Sequence, residues 1–402
     1  MFYLAGSNQK DIKQLNRNVV MKLLFTSPRL SRSDLTRLTG LTAMTITNIV
    51  SELMDAGLVV EYKESNPKET SGVGRRPVLL ELAPKSPVLC GVYISRRRFT
   101  MIISDLKAHE LFREEQAYPE TLEVDWLYHN LADSYRRLKQ RCRTSQRRIL
   151  CVGIVSIGPV DTQRGIILNP PNFGGLRDLP VCRWMEEIAG VAAFLLNDSS
   201  ACALAESLYG KGVGIDNFLY VYIHEGIGAG MVLGGELYQG VHGYSPELGH
   251  TTIDFHGPLC PCGSRGCLEL YADESKTVEK AAGVSTRDIR SFADVMAGVQ
   301  EGDQACLAAA REFASYLGYA LRNALNLYEF STVILGYETI PGANILESML
   351  AEDLGAYLRG YGGRRAEFVH TEFLRGAPLT GAIALGASKV FTGSLPMLKE
   401  KG

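Results

Sequence analysis

The stretch Glu247-Leu248-Gly249-His250-Thr251-Thr252-Ile253-Asp254-Phe255-His256-Gly257-Pro258-Leu259-Cys260-Pro261-Cys262-Gly263-Ser264-Arg265-Gly266-Cys267-Leu268-Glu269 decides how the rest of the chain is read. Cys260, Cys262 and Cys267 bring three thiols within eight residues, and His250 stands ten residues before the first of them. Three thiolates and an imidazole form a complete tetrahedral set for zinc, and a site closed by four protein ligands is structural rather than hydrolytic. His250 is taken as the fourth ligand, with His256 the alternative that spacing leaves open. Gly263 and Gly266 permit the tight turns that bend so short a loop around one ion. Glu247 and Glu269 flank the cluster, so a metal that closes the loop draws both carboxylates to one place. The stretch therefore reads as a zinc-stapled wall of a ligand pocket.

Gly249-His250, a glycine at 257, and then Cys-x-Cys-Gly-x-x-Gly-Cys-x-Glu resemble the signature of the ROK family, which holds sugar-responsive repressors and sugar kinases. The similarity extends from about Ser31 to about Ala387 and is strongest to the branch of xylose and N-acetylglucosamine repressors. It implies that His250, Cys260, Cys262 and Cys267 hold one structural zinc ion, and that Glu247, His250 and Glu269 face sugar hydroxyls.

Bulk composition fits a soluble regulator or enzyme. At 402 residues the chain has room for two or three domains. No apolar run approaches the roughly 18–20 residues needed to span a bilayer. The start lacks the pattern of a signal peptide, and nine cysteines without a disulfide-like framework suit a reducing cytoplasm. The net charge of −2 is unevenly spread: residues 1–85 hold 12 Lys and Arg against 8 Asp and Glu, leaving −6 on the remainder. A basic front on an acidic body is the electrostatic footprint of a nucleic-acid-binding head.

The front end supplies such a head. Ile12, Leu15, Val19, Val20, Leu23 and Leu24 recur at helical spacing. Ser31-Arg-Ser-Asp34 is a capping-box pattern that starts a second helix. After Thr39-Gly40-Leu41, Thr42 caps a third helix with Ile46, Ile49, Val50 and Leu53 inward, which Gly57 terminates. Helix, glycine turn and helix make a helix-turn-helix, whose second member lies in the major groove. The outward face, Thr42, Ala43, Met44, Thr45, Thr47 and Asn48, is short and neutral, as close approach to base edges requires; Asn reads adenine and methyl groups touch thymine. Arg32 and Arg37 are placed for phosphates. Two short strands, 58–62 and 78–82, flank a tip that ends in Arg75-Arg76, a pair suited to a narrow minor groove. Together these predict a winged helix-turn-helix over residues 1–84.

Beyond Pro84, strands alternate with helices, which predicts mixed α/β layers over 85–402. The ROK resemblance narrows this to a two-lobed actin-like fold, with lobes at about 85–198 and 199–402 and a sugar cleft between them. It also adds Asn172, Asn197 and Asp198 to the sugar-facing set, the last being the general base in family kinases. Asp198 follows an apolar strand, where α/β proteins commonly bind ligands. Amides, carboxylates and an imidazole suit a neutral polyol, whose hydroxyls both donate and accept.

The parts for phosphoryl transfer are missing. That reaction needs backbone amides, usually on glycines, around the nucleotide phosphates, and a carboxylate for magnesium. Where family kinases carry Asp-x-Gly-Gly-Thr, this chain has Tyr93-Ile94-Ser95-Arg96-Arg97. Where they carry Gly-Thr-Gly-x-Gly, it has His224-Glu225-Gly226-Ile227-Gly228, and Gly336-Tyr337 replaces a glycine pair. The expectation is a cytoplasmic, non-enzymatic repressor that binds double-stranded operator DNA as a homodimer or dimer of dimers. A monosaccharide effector would release it, with one zinc per chain and no membrane contact. A ROK sugar kinase, or a regulator governed by a protein partner, is the alternative.

Overall fold

The fold is described from a computed structural model for residues 9–27, 29–62, 78–224, 226–241, 243–339, 344–360 and 363–392. Arg75 and Arg76 of the expected wing, and Glu225, lie outside the described residues.

The head opens with α1 (Gln9–Thr26), a two-residue strand β1 (Leu30–Ser31), α2 (Arg32–Thr39) and α3 (Ala43–Asp55). The capping box forms as read: the Ser31 hydroxyl accepts from Asp34 N–H, and Asp34 accepts from Ser31 N–H at 3.0 Å. Gly40 ends α2 with a φ of 69°, a left-handed backbone that glycine adopts without a steric penalty. Thr42 caps α3 by accepting from Thr45 N–H at 3.2 Å. Ile46, Ile49, Val50 and Leu53 are buried with Val20, Leu24 and Leu35, so the three helices share one core. β2 (Val59–Tyr62) and β3 (Leu79–Leu82) pair antiparallel, with Val59 opposite Leu82. β1 pairs with the other edge of β3, a strand too short to announce itself in sequence.

The first sheet of the body runs β10-β7-β4-β5-β6. Its strands are β4 (Val88–Ile94), β5 (Arg98–Ser104), β6 (Glu110–Ala117), β7 (Ile149–Ser156) and, after the ribbon β8 (Val160–Asp161) and β9 (Ile166–Ile167), β10 (Ala193–Asn197). α4 (Val124–Thr144) and α5 (Val181–Ala189) cover one face. α6 (Asp198–Tyr209) then passes to the second sheet, ordered β13-β12-β11-β14-β15. That sheet comprises β11 (Phe218–Ile223), β12 (Ile227–Leu233), β13 (Glu236–Leu237), β14 (Thr332–Gly336) and β15 (Glu367–His370). α7 (Glu274–Ala282), α8 (Phe292–Gln300), α9 (Gln304–Leu327) and α10 (Ile345–Gly360) pack over it.

The last helix, α11 (Ala377–Phe391), modifies the expected division at residue 198. It leaves the second lobe and packs on β4 and β7 of the first, and against α6. Glycines make the approach possible: a Cβ on Gly153 would collide with the Ala382 carbonyl oxygen, and one on Gly381 would lie 2.5 Å from the Ala201 carbonyl oxygen. α11 ends on the head, where Phe391 stacks against Phe25 of α1 with centroids 5.8 Å apart. The Lys107 ammonium donates to the Ser27 carbonyl at 3.2 Å. Among the described residues no helix is long and apolar enough to cross a membrane.

Candidate functional site

The loop read first in the sequence folds back on itself. Glycines permit this: Gly263 has a φ of 95° and Gly266 of 62°, and a Cβ on Gly266 would overlap the Asp254 carbonyl oxygen. Thr252 bridges Cys267, and Leu259 bridges Arg265. The ligand atoms of His250, Cys260, Cys262 and Cys267 consequently lie within 4.8 Å of one another, a cluster able to hold a metal ion. His250, not His256, joins it. The Cys262 and Cys267 sulfurs are 3.6 Å apart, and Cys260 Sγ is 3.7 Å from His250 Nδ1. Sulfurs bound at about 2.3 Å to a tetrahedral zinc lie about 3.8 Å apart, so the donor set and its spacing fit that ion.

The carboxylates gather beside this cluster. Glu269 Oε1 is 3.3 Å from His250 Nδ1. Glu247 precedes the single helical turn Leu248–His250. Its carboxyl is pushed up by desolvation, held back by His250 and pushed further by Glu269. Asp198 opens α6 and accepts from Ser199 N–H at 2.8 Å. Burial raises it to about 6, against the pull of the Ser199 N–H and the Arg96 charge, and the Glu247 charge adds to the rise. Asp198, at the start of α6, is thus linked electrostatically to the acidic row of Glu247, His250 and Glu269 in the loop between β13 and α7.

The asparagines differ. Asn197, rather than Asp198, is the cap of α6: its Oδ1 accepts from Ser200 N–H at 2.9 Å and from the Ser245 hydroxyl at 2.6 Å. Its Nδ2 donates to Ser199 Oγ at 3.1 Å. Asn172 is exposed on a turn with a φ of 57°, and no hydrogen bond or ion pair among the described residues joins it to the acidic row.

Positions expected to have lost their glycines are filled. The Ser95 N–H and hydroxyl both donate to the Arg98 carbonyl, closing a tight β4–β5 turn that carries Arg96 and Arg97. Tyr337 is buried; its hydroxyl donates to Glu347 at 2.8 Å, and its ring packs edge-on against His370 at 4.6 Å. His370 Nδ1 lies 3.0 Å from the same carboxylate. Sequence reading did not find this buried Tyr–Glu–His group, because the pairing of β14 with β15 and the packing of α10 against β15 bring its members together.

On the head, Thr42, Ala43, Met44, Thr47 and Asn48 are exposed and Thr45 half-exposed, so α3 presents the neutral face expected of it. Arg37 is exposed beside Asp34. Arg32 donates to Glu61 at 2.8 Å and lies 3.6 Å from the Met54 sulfur, which holds it against β2 and α3.

Residues 89–389 match the sequence profile of the ROK family. The xylose repressor of Bacillus spizizenii is 28% identical over 382 residues, covering 93% of this chain and 95% of that protein. Among solved structures, a ROK family transcriptional regulator described as a homologue of the E. coli MLC protein superposes with a TM-score of 0.75 at 27% identity. That match covers 95% of this chain and 97% of the other. A ROK hexokinase from Thermus thermophilus superposes with a TM-score of 0.62 at 28% identity, covering 75% of this chain and 99% of the enzyme.

Proposed function

The chain belongs to the ROK family, and on that premise we propose that it is a sugar-responsive transcriptional repressor whose α3 reads operator DNA and whose interlobe cleft binds a monosaccharide. The observation that carries this reading is coverage. The repressor and the regulator structure match nearly the whole chain, whereas the hexokinase is used up by three quarters of it, which leaves a head with no counterpart there. In this reading residues 1–84 are a winged helix-turn-helix, with Arg32 and Arg37 toward phosphates, Arg75 and Arg76 toward the minor groove, and Thr42, Ala43, Met44, Thr45, Thr47 and Asn48 toward bases. Residues 85–402 bind the sugar through Asn172, Asn197, Asp198, Glu247, His250 and Glu269. A polyol hydroxyl donates to each carboxylate and accepts from each amide. The kinase alternative is disfavoured by Ser95, Arg96 and the buried Tyr337, whose side chains stand where bare backbone would have to cradle phosphates.

The same reading assigns one zinc ion to His250, Cys260, Cys262 and Cys267. Bound there, zinc would supply a structural staple that ties these four side chains together. Because His250 turns Nδ1 to the cluster, Nε2 remains for a sugar hydroxyl. Metal analysis should find about one zinc per wild-type chain and little in Cys262→Ser. A full zinc complement in that variant would remove Cys262 from the site.

A ligand alters DNA affinity only if it binds one arrangement of lobes and heads better than the other. Contacts from both sheets let the sugar favour closure, which moves the heads of a dimer relative to half-sites spaced by the DNA repeat. The test uses duplex DNA selected from a random pool by the full-length protein. A monosaccharide, xylose first among a panel, should release it, while no sugar in the panel is phosphorylated from ATP. Turnover above background would reverse the assignment.

A further inference from the structure

Residues 134–148, Ser-Tyr-Arg-Arg-Leu-Lys-Gln-Arg-Cys-Arg-Thr-Ser-Gln-Arg-Arg, hold seven cations and no acid, on a body whose net charge is −6. An ordinary solvated helix mixes both signs. Tyr135, Leu138 and Cys142 face the core of the first lobe, which turns Arg136, Lys139, Gln140 and Arg143 to the other side at intervals of three and four. Those four residues, together with Arg137, Arg141 and an edge of Tyr135, line a groove of about 780 Å³ bordered by Ile188 of α5 and Glu114 of β6.

The cations are held in place yet available. Arg136 pairs with Asp133 at 2.6 Å and Arg137 with Glu114 at 2.8 Å, with the two arginines 75% and 53% exposed. Pairs so open to solvent are weak and exchange readily for a phosphate. Arg141 stacks over Phe112, and Lys139 donates to the Ala189 carbonyl at 3.4 Å. From Arg136 to Arg143 the helix rises about 10 Å, which matches about three phosphates at 3.4 Å each along one strand. The segment also ends at the junction with the head. The Lys85 ammonium donates to Gln146 Oε1 at 2.6 Å, three residues after β3 closes the head at Leu82.

We infer that the exposed face of α4, from Arg136 to Arg143, is a second, sequence-independent contact for the phosphate backbone of duplex DNA flanking the site held by the head. The inference rests on the DNA-binding reading of the head and extends its footprint. Its charge belongs to the body, so it can add affinity without adding base recognition.

The test compares the full-length protein on 20-bp and 60-bp duplexes of selected sequence, with affinity plotted against salt. Wild type should show the steeper slope on the longer duplex. R136Q/K139Q/R143Q should lower that slope by about 2 to 3 and weaken 60-bp binding roughly tenfold or more, while leaving 20-bp binding and the melting temperature unchanged. Arg143→Gln alone should lower the slope by about 1. The control R287Q/R290Q/R311Q, elsewhere on the body, should match wild type. An unchanged 60-bp slope in the triple variant, or an equal loss on both lengths, overturns the flanking contact while leaving the head reading intact. A wild type that binds neither duplex sinks the head reading itself.

Discussion

Asp198 shows what a single residue reveals and conceals. Its place after an apolar strand marked it for ligand binding, but the same place suits a helix cap. The structure gives the cap to Asn197, while the Asp198 carboxylate accepts from its neighbour Ser199 N–H. The cysteine–histidine cluster was legible because ligand type and spacing are local properties. The Tyr337–Glu347–His370 group was not, since strand pairing and the packing of α10 assemble it. Asp198 also carries a prediction. Its carboxyl is raised to about 6 in the fold from an ordinary 3.8, chiefly by burial. Below the unfolded value both states are protonated and the group costs nothing. Between 3.8 and about 6 the unfolded chain has given up its proton while the folded chain keeps it, so stability falls across that window and levels off above it. Asp198→Asn removes that cost and should raise the melting temperature more at pH 7.5 than at pH 4.5, while sugar no longer shifts it. Sugar affinity of the wild type should rise between pH 5 and 7 as the stronger acceptor forms. Equal thermal gains at both pH values would mean that Asp198 does not titrate near 6.

At the scale of elements, α6 and α11 join the two sheets to the head. α6 begins with Asp198, packs against both sheets and lies along α11. α11 in turn ends at the Phe391–Phe25 stack. The amphipathic helices α3 and α4 were readable from their stripes. α11 was not: Ala377 to Phe391 is buried on nearly every side, so no polar face sets a period. Its contacts require glycines on its partners, a pattern with no signature in one sequence. A displacement of α6 on sugar binding would reach α1 through this packing. Phe25→Ala and Phe391→Ala should each cost about 3–5 kcal/mol, and the double variant should fall short of the sum by about 0.5–1.5 kcal/mol. DNA release by sugar should weaken in Phe391→Ala beyond any loss of DNA affinity. Strict additivity in the cycle, with normal release, would disconnect the stack from signalling.

For the whole molecule, a basic head on an acidic body set the division of labour in sequence, and the mixed α/β alternation set the class of the body. Which α/β fold it would be did not follow from periodicity, because doubly wound and actin-like sheets share the same alternation. The ROK signature separated them, and the two five-stranded sheets agree with it. The proposed function treats head and body as one equilibrium, and thermodynamics then imposes a symmetry. If sugar lowers DNA affinity by some factor, saturating DNA must lower sugar affinity by the same factor, since the two orders of binding end in the same complex. For a coupling of 1–3 kcal/mol that factor is about 5 to 150. Titrating the inducing sugar against the full-length protein, alone and with saturating 60-bp duplex, should reproduce the factor seen when DNA is titrated with and without sugar. Phe391→Ala should shrink both factors together. A sugar that releases DNA while binding equally well to free and DNA-bound protein would place the effect outside this equilibrium, for example in competition by the sugar for the DNA-contacting surface of α3.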